Sequence, residues 1–183
     1  SNRKKYNFMS ILGAISAFLT GGIGLIPGGT VHMFAIKEAA LPGALAILTL
    51  FTLKTKKPLV KIFLYNPDLF QVDKIEKLLE AQGTKKSFNR LLVICTWLLA
   101  GTFVFSTVVN YLLARLIVVT EPFSDKNAFN DEIGTMMTWS FPVISLPCMV
   151  ATAYAFWLLT RGIKRMTGLN LEEAIIQSSR QNS

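Results

Sequence analysis

The sequence predicts an all-α fold, a polytopic bundle of four transmembrane helices with an amphipathic interfacial helix on its cytoplasmic side. Four apolar stretches, at about residues 8–26, 34–53, 91–113 and 139–159, are each long enough to cross a hydrocarbon core of about 30 Å. Only 16% of the 183 residues are charged, against about 25% in soluble domains. The basic residues also fall into every second gap between the stretches, as they do in multi-pass proteins.

The distribution of basic residues predicts the orientation. Arg3, Lys4 and Lys5 precede the first stretch, nine Lys or Arg lie between the second and third, and four follow the fourth. Residues 27–33 contain no Lys or Arg, and residues 114–138 contain two against four acidic residues. Because basic loops are retained in the cytoplasm during insertion, we expect both termini and residues 54–90 on the cytoplasmic side of the membrane.

Composition also bears on the classes of partner and cofactor. The formal net charge of +8 is explained by topology, and no interleaving of aromatic and basic residues supports nucleic-acid binding. Cys95 and Cys148 lie in different apolar stretches, where free cysteines act as small apolar side chains. His32 is the single histidine and no metal-ligand spacing occurs, so we expect no metal and no cofactor.

The first span carries small residues on one face. Gly13, Ala17 and Gly21 recur every four residues, and such faces let helices approach closely in lipid. Packing within this chain and pairing with a second copy are both consistent with the pattern. The span exceeds the usual length of a signal-peptide core, and no small-residue cleavage site follows it.

Polar residues occur at the outer ends of the second and third spans. Counting 1.5 Å per residue along each helix places Lys37, Glu38 and Asn110 at about the same depth, with Arg115 slightly further out. Ionisable groups at such depth pair with each other or face a cavity. One hypothesis is therefore an outward-facing polar pocket in which Glu38 pairs with Arg115. The alternative is that Lys37 and Arg115 extend to the outer interface.

The segment from residue 54 to residue 90 is the largest predicted soluble part. Asn66 and Pro67 form a plausible helix start, and Gly83 a plausible stop. Between them the apolar residues fall on one face and the charged residues on the other, which predicts a short amphipathic helix. This helix either lies on the cytoplasmic membrane surface, where its lysines meet anionic lipid, or binds a protein partner.

The second and fourth spans contain prolines that predict kinks. Pro42 lies in the second span, and Pro142 and Pro147 interrupt the fourth. We expect the fourth helix to start near Asp131, with Asn130 as its cap, and to continue to Met166. Gly168 then ends it, and Asn170 caps a short terminal helix.

Several segments carry a family resemblance: LTGGIGL, FAIKEAALP, KKPLVK, WLLAGTFVFSTVVNYLLAR and RGIKRMTGLNLEE. Over nearly its whole length the chain resembles a family of uncharacterised bacterial inner-membrane proteins, which in turn resembles intracellular septation protein A. The second resemblance is patchier and is carried by matching positions in this sequence, namely Gly21, Gly22, Lys37, Lys56–Lys61, Trp97, Asn110 and Tyr111. The chain departs from that pattern by an extra amphipathic segment around residues 68–82. The resemblance also implies one or two further N-terminal spans, which would make this chain the C-terminal part of a longer protein.

These observations predict a single integral membrane domain over residues 1–183. No catalytic constellation is present, and the resemblance implies an envelope role without transferring any catalytic residue. We therefore expect a non-enzymatic scaffold that contacts membrane lipids, other membrane proteins or further copies of itself. The alternative is a small transporter or lipid-handling protein that uses the pocket of Lys37, Glu38, Asn110 and Arg115.

Overall fold

The structure, a computed structural model, describes residues 29–53, Val60, Tyr65 and residues 70–174. Within these residues the regular secondary structure is helical. The elements in chain order are α1 (Val31–Leu53), α2 (Val72–Ala81), α3 (Lys85–Ile117), α4 (Lys126–Ser140), a π-helical turn (Phe141–Ser145), α5 (Leu146–Thr167) and α6 (Leu171–Ala174). The prediction of an all-α fold is therefore confirmed for the described part of the chain.

Three of the helical segments are long and apolar enough to cross a membrane. They are Val31–Leu53, Lys85–Ile117 and the continuous run Lys126–Thr167, in which the π-helical turn joins α4 to α5. They correspond to the second, third and fourth predicted spans. The first predicted span and its small-residue face of Gly13, Ala17 and Gly21 lie outside the described residues.

The chain divides into two compact units, and each long helix contributes to both. Unit 1 consists of residues 1–45 and 103–147, and unit 2 consists of residues 46–102 and 148–183. The core of unit 1 joins α1, α3 and α4 through the buried residues Val31, Ala35, Ala114, Val118 and Met136. The core of unit 2 is larger and joins α2, α3, α5 and α6.

In unit 2, α3 and α5 run antiparallel with a register fixed by three contacts. Leu91 lies against Gly162, the Cys95 thiol donates to the carbonyl oxygen of Ala155 over 3.5 Å, and the Cys148 thiol donates to that of Thr102 over 3.7 Å. As the residue number rises on α3 it falls by about the same amount on α5. The two cysteines are therefore packing residues at this helix contact, consistent with their expected behaviour as small apolar side chains.

Helix α2 packs on this pair by one face. Ile75 and Leu79 are buried in the core of unit 2, whereas Asp73, Lys74 and Lys77 are exposed. Its last turn ends at Gly83, whose φ of 65° is a left-handed conformation that favours glycine. The predicted stop at Gly83 is thus confirmed, while the predicted start at Asn66 and Pro67 lies outside the described residues.

The boundaries of α3 and α4 differ from the predicted spans. Helix α3 begins at Lys85 rather than at Leu91, because Phe88 and Leu92 anchor its polar first turns in the core of unit 2. Helix α4 begins at Lys126, and its cap is Asp125, whose carboxylate accepts hydrogen bonds from the backbone N–H groups of Asn127 (2.9 Å) and Ala128 (3.1 Å). The predicted cap at Asn130 is wrong, since Asn130 lies within the first turns of α4.

The prolines of the fourth predicted span coincide with a change in helix type. Pro142 lies in the π-helical turn, and the backbone N–H of Leu146 bonds to the carbonyl of Phe141 five residues earlier. A proline cannot donate a backbone hydrogen bond and crowds the carbonyl of the preceding turn. Widening that turn accommodates Pro142 and Pro147 in one continuous helix. Pro42 lies inside α1, which continues through it.

The end of the fourth span agrees with the sequence. Helix α5 ends at Thr167, and Gly168 follows it with a φ of 76°. Two side chains from the turn before α3 satisfy the last carbonyls of α5: the Thr84 hydroxyl donates to Met166 (3.1 Å) and the Gln82 amide to Thr167 (3.3 Å). Asn170 then precedes α6. Its backbone N–H donates a hydrogen bond to the Glu173 carboxylate over 3.0 Å, and this bond is one half of a capping box.

Candidate polar site at the contact of α1 with α3

The candidate site lies in unit 1, where α1 and α3 run antiparallel. The Tyr111 hydroxyl lies 3.2 Å from Nδ1 of His32, and a β-carbon on Gly43 would lie 3.4 Å from the side chain of Thr107. Lys37 and Glu38 fall between His32 and Gly43 on α1. Asn110 falls between Thr107 and Tyr111 on α3. This register places the three residues at a similar height along the helix pair, which is the arrangement that residue counting predicts.

Lys37 and Glu38 form an ion pair with each other. Their Nζ and Oε1 atoms are 3.9 Å apart, and each side chain is 26% exposed. The Lys37 ammonium also lies 5.7 Å from the ring centroid of Phe34, within the range of a cation–π contact. Adjacent residues of a helix project about 100° apart, so this pair uses the flexible ends of both side chains. The pair is compatible with a partly wet environment at the helix surface.

The Glu38–Arg115 pairing predicted from depth is absent. Arg115 is exposed, and the structure gives Glu38 an ion pair with Lys37 and none with Arg115. Depth along a helix is set by residue number alone, whereas pairing also requires the two side chains to face each other. The exposed Arg115 fits the alternative, in which its side chain extends to the interface.

Asn110 turns back onto its own helix. Its amide nitrogen donates to the carbonyl oxygen of Ser106 over 2.8 Å and to the Ser106 hydroxyl over 3.1 Å. Hydroxyl groups elsewhere in the long helices do the same, each donating to a carbonyl three or four residues earlier. They include Thr96, Thr102, Thr107, Thr138, Ser140 and Thr160. Asn110 and these hydroxyls are thus satisfied within their own helices, the solution that a bilayer environment favours.

Two carboxylates that sequence reasoning did not assign organise the segment between α3 and α4. Glu121 accepts a hydrogen bond from the backbone N–H of Val31 over 3.1 Å, at the first residue of α1. Glu132 accepts from the backbone N–H groups of Val119 and Thr120, both over 2.9 Å, and from the Thr120 hydroxyl over 2.8 Å. The signal that could have found them is the excess of acidic residues in this otherwise short polar gap.

The described residues offer little for metal binding. Among them no group of three or more His, Cys, Asp or Glu side chains is placed to hold a metal ion. His32, for which no role was predicted, has its Nδ1 within hydrogen-bonding distance of Tyr111 and its ring edge-on to that phenol. The interaction joins α1 to α3 and gives His32 a structural role.

The long helices carry many exposed apolar side chains. Ile47, Phe51, Leu116 and Val150 are each more than 65% exposed, a pattern typical of a surface that meets lipid rather than water. With three helices of sufficient length and apolar composition, the class of protein that the described fold supports is a multi-pass helical membrane protein. Comparison with protein-family models, with curated proteins and with solved structures gave no match.

Proposed function

We propose that the protein is a non-enzymatic scaffold of the bacterial inner membrane with a role in maintaining the envelope. The observation that carries the proposal is where the polar side chains inside the described spans form their hydrogen bonds. Asn110 and the span hydroxyls bond to their own helices, so the helix surfaces left for contact are mainly apolar. Such surfaces suit contacts with lipid and with other membrane helices.

The proposed orientation follows the basic residues of the sequence. Both termini of the chain and the α2 segment are cytoplasmic, and the segment between α3 and α4 is outside. Helix α2 lies at the cytoplasmic surface, where the exposed Lys74 and Lys77 meet anionic headgroups. The resemblance of the LTGGIGL, KKPLVK and tryptophan-led segments to intracellular septation protein A favours an envelope role over other roles of a membrane scaffold.

A transporter or lipid-handling protein is the second candidate. Its support is the half-buried Lys37–Glu38 pair, since an ion pair within a span often marks a substrate path. Asn110, engaged with Ser106, and Arg115, without an ion pair to Glu38, weaken this candidate. The two functions differ in whether the four polar residues are needed.

Complementation separates them. The gene is deleted in the bacterium that encodes the protein, and cell length, septum placement and sensitivity to detergent are measured. The deletion is complemented with the wild type, with K37A/E38A/N110A/R115A, or with the control K126A/N127A/D131A, which changes exposed residues of α4. Each variant is matched to the wild type in membrane abundance.

A scaffold predicts that the deletion disturbs the envelope and that all three genes restore it. If the four-residue variant fails where the control succeeds, the transporter or lipid-handling candidate replaces the scaffold. A deletion without any envelope defect contradicts the proposed role itself.

A further inference from the structure

The side of the α3–α5 pair facing away from the core of unit 2 carries a distinctive set of side chains. Successive residues of a helix are turned by about 100°. In an antiparallel pair, the residues that precede two facing residues therefore project to the same side. Because Leu91 faces Gly162, Arg90 and Arg161 lie on one side, and Leu92 and Ile163 on the other. Leu92 and Ile163 are buried in the core, whereas Arg90 and Arg161 are exposed.

Helical spacing extends this exposed side along both helices. On α3 it continues from Arg90 to Trp97, seven residues on, and on α5 it includes residues at positions 154, 157, 161 and 165. We call this set the arginine–aromatic face; it consists of Arg90, Trp97, Tyr154, Trp157, Arg161 and Arg165. All six side chains are exposed. The register puts Arg90 within two residues of the level of Arg161, and Trp97 within about two residues of the level of Tyr154.

The aromatic side chains of the face are arranged in a stack that ends on a cation. The rings of Tyr154 and Trp157 stack with centroids 5.8 Å apart, and the guanidinium of Arg161 lies 5.0 Å from the Trp157 ring. Trp and Tyr at this position are typical of the interface between headgroups and hydrocarbon. The contact with Trp157 holds the Arg161 side chain along the helix surface rather than leaving it free in solvent.

The cations of the face have no acidic partner in the described part of the chain. Among the residues that the structure describes, no carboxylate lies within ion-pair distance of Arg90, Arg161 or Arg165. Lys85, the exposed first residue of α3, differs from these arginines because it forms an ion pair with Glu80. Three guanidinium groups at one end of an apolar and aromatic surface therefore lack a counterion from the described chain.

We propose that the arginine–aromatic face binds an anionic phospholipid. The guanidinium groups of Arg90, Arg161 and Arg165 take the headgroup phosphate, which arginine matches with two parallel hydrogen bonds. Trp97, Tyr154 and Trp157 receive the glycerol and the first part of the acyl chains. The seven residues from Arg90 to Trp97 span about 10 Å along the helix axis, which suits a lipid standing beside the pair. Basic sites between membrane helices are a known means of selecting acidic lipids.

This inference goes beyond the scaffold proposal and does not rest on it, because a transporter could bind lipid at the same face. It requires that α3 and α5 cross the membrane with their arginine-bearing ends at an interface. A failed complementation test would leave it untouched, and a failed lipid test would leave the scaffold proposal untouched.

The test measures lipid binding to the purified full chain in a non-ionic detergent. Dioleoyl phosphatidylglycerol or dioleoyl phosphatidylcholine is titrated, and bound lipid is counted by native mass spectrometry. The variant R90Q/R161Q/R165Q is compared with the control R115Q/K126Q, which removes basic charge from exposed positions that lie on neither the face nor α2. Thermal unfolding checks that both variants keep the fold.

The wild type is expected to prefer phosphatidylglycerol. Because a cation near the surface contributes roughly fivefold in affinity, three arginines predict a loss of about a hundredfold in the variant. The control is expected to stay within about threefold of the wild type. An arginine variant that keeps the preference overturns the proposal, and so does a control that loses it equally, since that outcome indicates binding by overall charge.

Two further measurements keep the test decisive if the triple variant does not fold. The variant R161K retains the charge but not the forked donor geometry, and its affinity for phosphatidylglycerol is expected to fall severalfold. In a W139F background, Trp97 and Trp157 provide the tryptophan fluorescence. Acyl-brominated phosphatidylglycerol is expected to quench it at lower concentration than acyl-brominated phosphatidylcholine. Equal quenching, or displacement of the lipid by inorganic phosphate alone, contradicts a phospholipid site.

Discussion

Gly162 of α5 and Leu91 of α3 lie so close that a β-carbon on Gly162 would stand 2.0 Å from Cδ2 of Leu91. Close approach at a small residue is how helices pack in lipid, where van der Waals contact replaces the hydrophobic effect. The contact also sets the side of the pair to which Arg90 and Arg161 project. Gly162 is thus both a packing residue and a determinant of the proposed lipid site.

Replacing Gly162 with alanine is expected to destabilise the protein by about 1–3 kcal/mol, because the added methyl group forces Leu91 out of its position. In an L91A background the same replacement should cost less than about 1 kcal/mol. The control is G101A on α3, where a β-carbon meets nothing within 4 Å. The effect is measured by thermal unfolding in detergent, and unfolding is monitored by the reactivity of the Cys95 thiol, which is buried in the folded protein. Equal costs of G162A with and without Leu91 would contradict the contact.

The register of α3 and α5 predicts a specific cross-link. The Cys148 thiol lies 3.7 Å from the carbonyl oxygen of Thr102, so T102C in a C95A background is expected to form a disulfide with Cys148 under mild oxidation. The control G101C places the new thiol about 100° away on the same helix and should remain reduced. Mass spectrometry of the digested protein identifies the product. A cross-link at position 101 with none at 102 would show a different register.

The position at which α4 starts predicts that substitutions of Asp125 and Asn130 will have unequal effects on stability. D125A removes a carboxylate that accepts two backbone hydrogen bonds and should lower the unfolding free energy by about 1 kcal/mol. N130A removes a side chain inside the helix and should change it by less than about 0.5 kcal/mol. The comparison uses thermal unfolding of both variants. A larger cost at Asn130 would restore the helix start predicted from the sequence.

We expect the buried Tyr65 to make the folded protein less stable at alkaline pH. Its side chain is buried against Phe70 and Phe88, and its hydroxyl has no hydrogen-bond partner among the described residues. Burial, followed by the charges of Glu76 and Asp73, raises the pKa of Tyr65 above its usual value of 10. The phenol therefore stays neutral in the folded state while it ionises in the unfolded state, so folding stability falls as pH rises above about 10.

The variant Y65F should remove that contribution to alkaline destabilisation and, at neutral pH, should be as stable as the wild type or more stable by about 1 kcal/mol. Y154F, which changes an exposed tyrosine, is the control and should follow the wild type. Unfolding is measured from pH 8 to about pH 11. If Y65F loses stability in parallel with Y154F, Tyr65 does not determine the alkaline response.

The helices could be predicted from sequence because apolar length and glycine punctuation are local signals. Gly83 and Gly168 end their helices where a left-handed residue is required. The start of α4 was harder to predict from sequence, since Asp125 and Asn130 are both residue types that cap helices well. Tertiary contacts favour the earlier one: with Asp125 as cap, Phe129 lies within α4 and packs against Phe34 in the core of unit 1, with ring centroids 5.5 Å apart.

For the candidate site, the sequence allows the heights of the residues along their helices to be predicted, but not which side chains pair. Counting along the spans placed Lys37, Glu38 and Asn110 at one height, and the register of α1 with α3 agrees. Which side chains meet depends on rotation about each helix axis, and one residue changes that rotation by about 100°. The arginine–aromatic face was missed for a related reason: it is formed by two helices whose register is set by contacts between them, such as Leu91–Gly162 and Cys95–Ala155, and not by their sequences taken singly.

The central claim is that the helix Lys85–Ile117 crosses a membrane with its first residues in the cytoplasm. In a C95A/C148A background, single cysteines are introduced at the exposed positions Ala81, before α3, and Ser124, after it. Cells are treated with a membrane-impermeant maleimide before and after permeabilisation. We expect S124C to react in intact cells and A81C to react only after permeabilisation. Labelling of both cysteines in intact cells, or of neither, would contradict a membrane-crossing α3, and the reverse pattern would invert the proposed orientation.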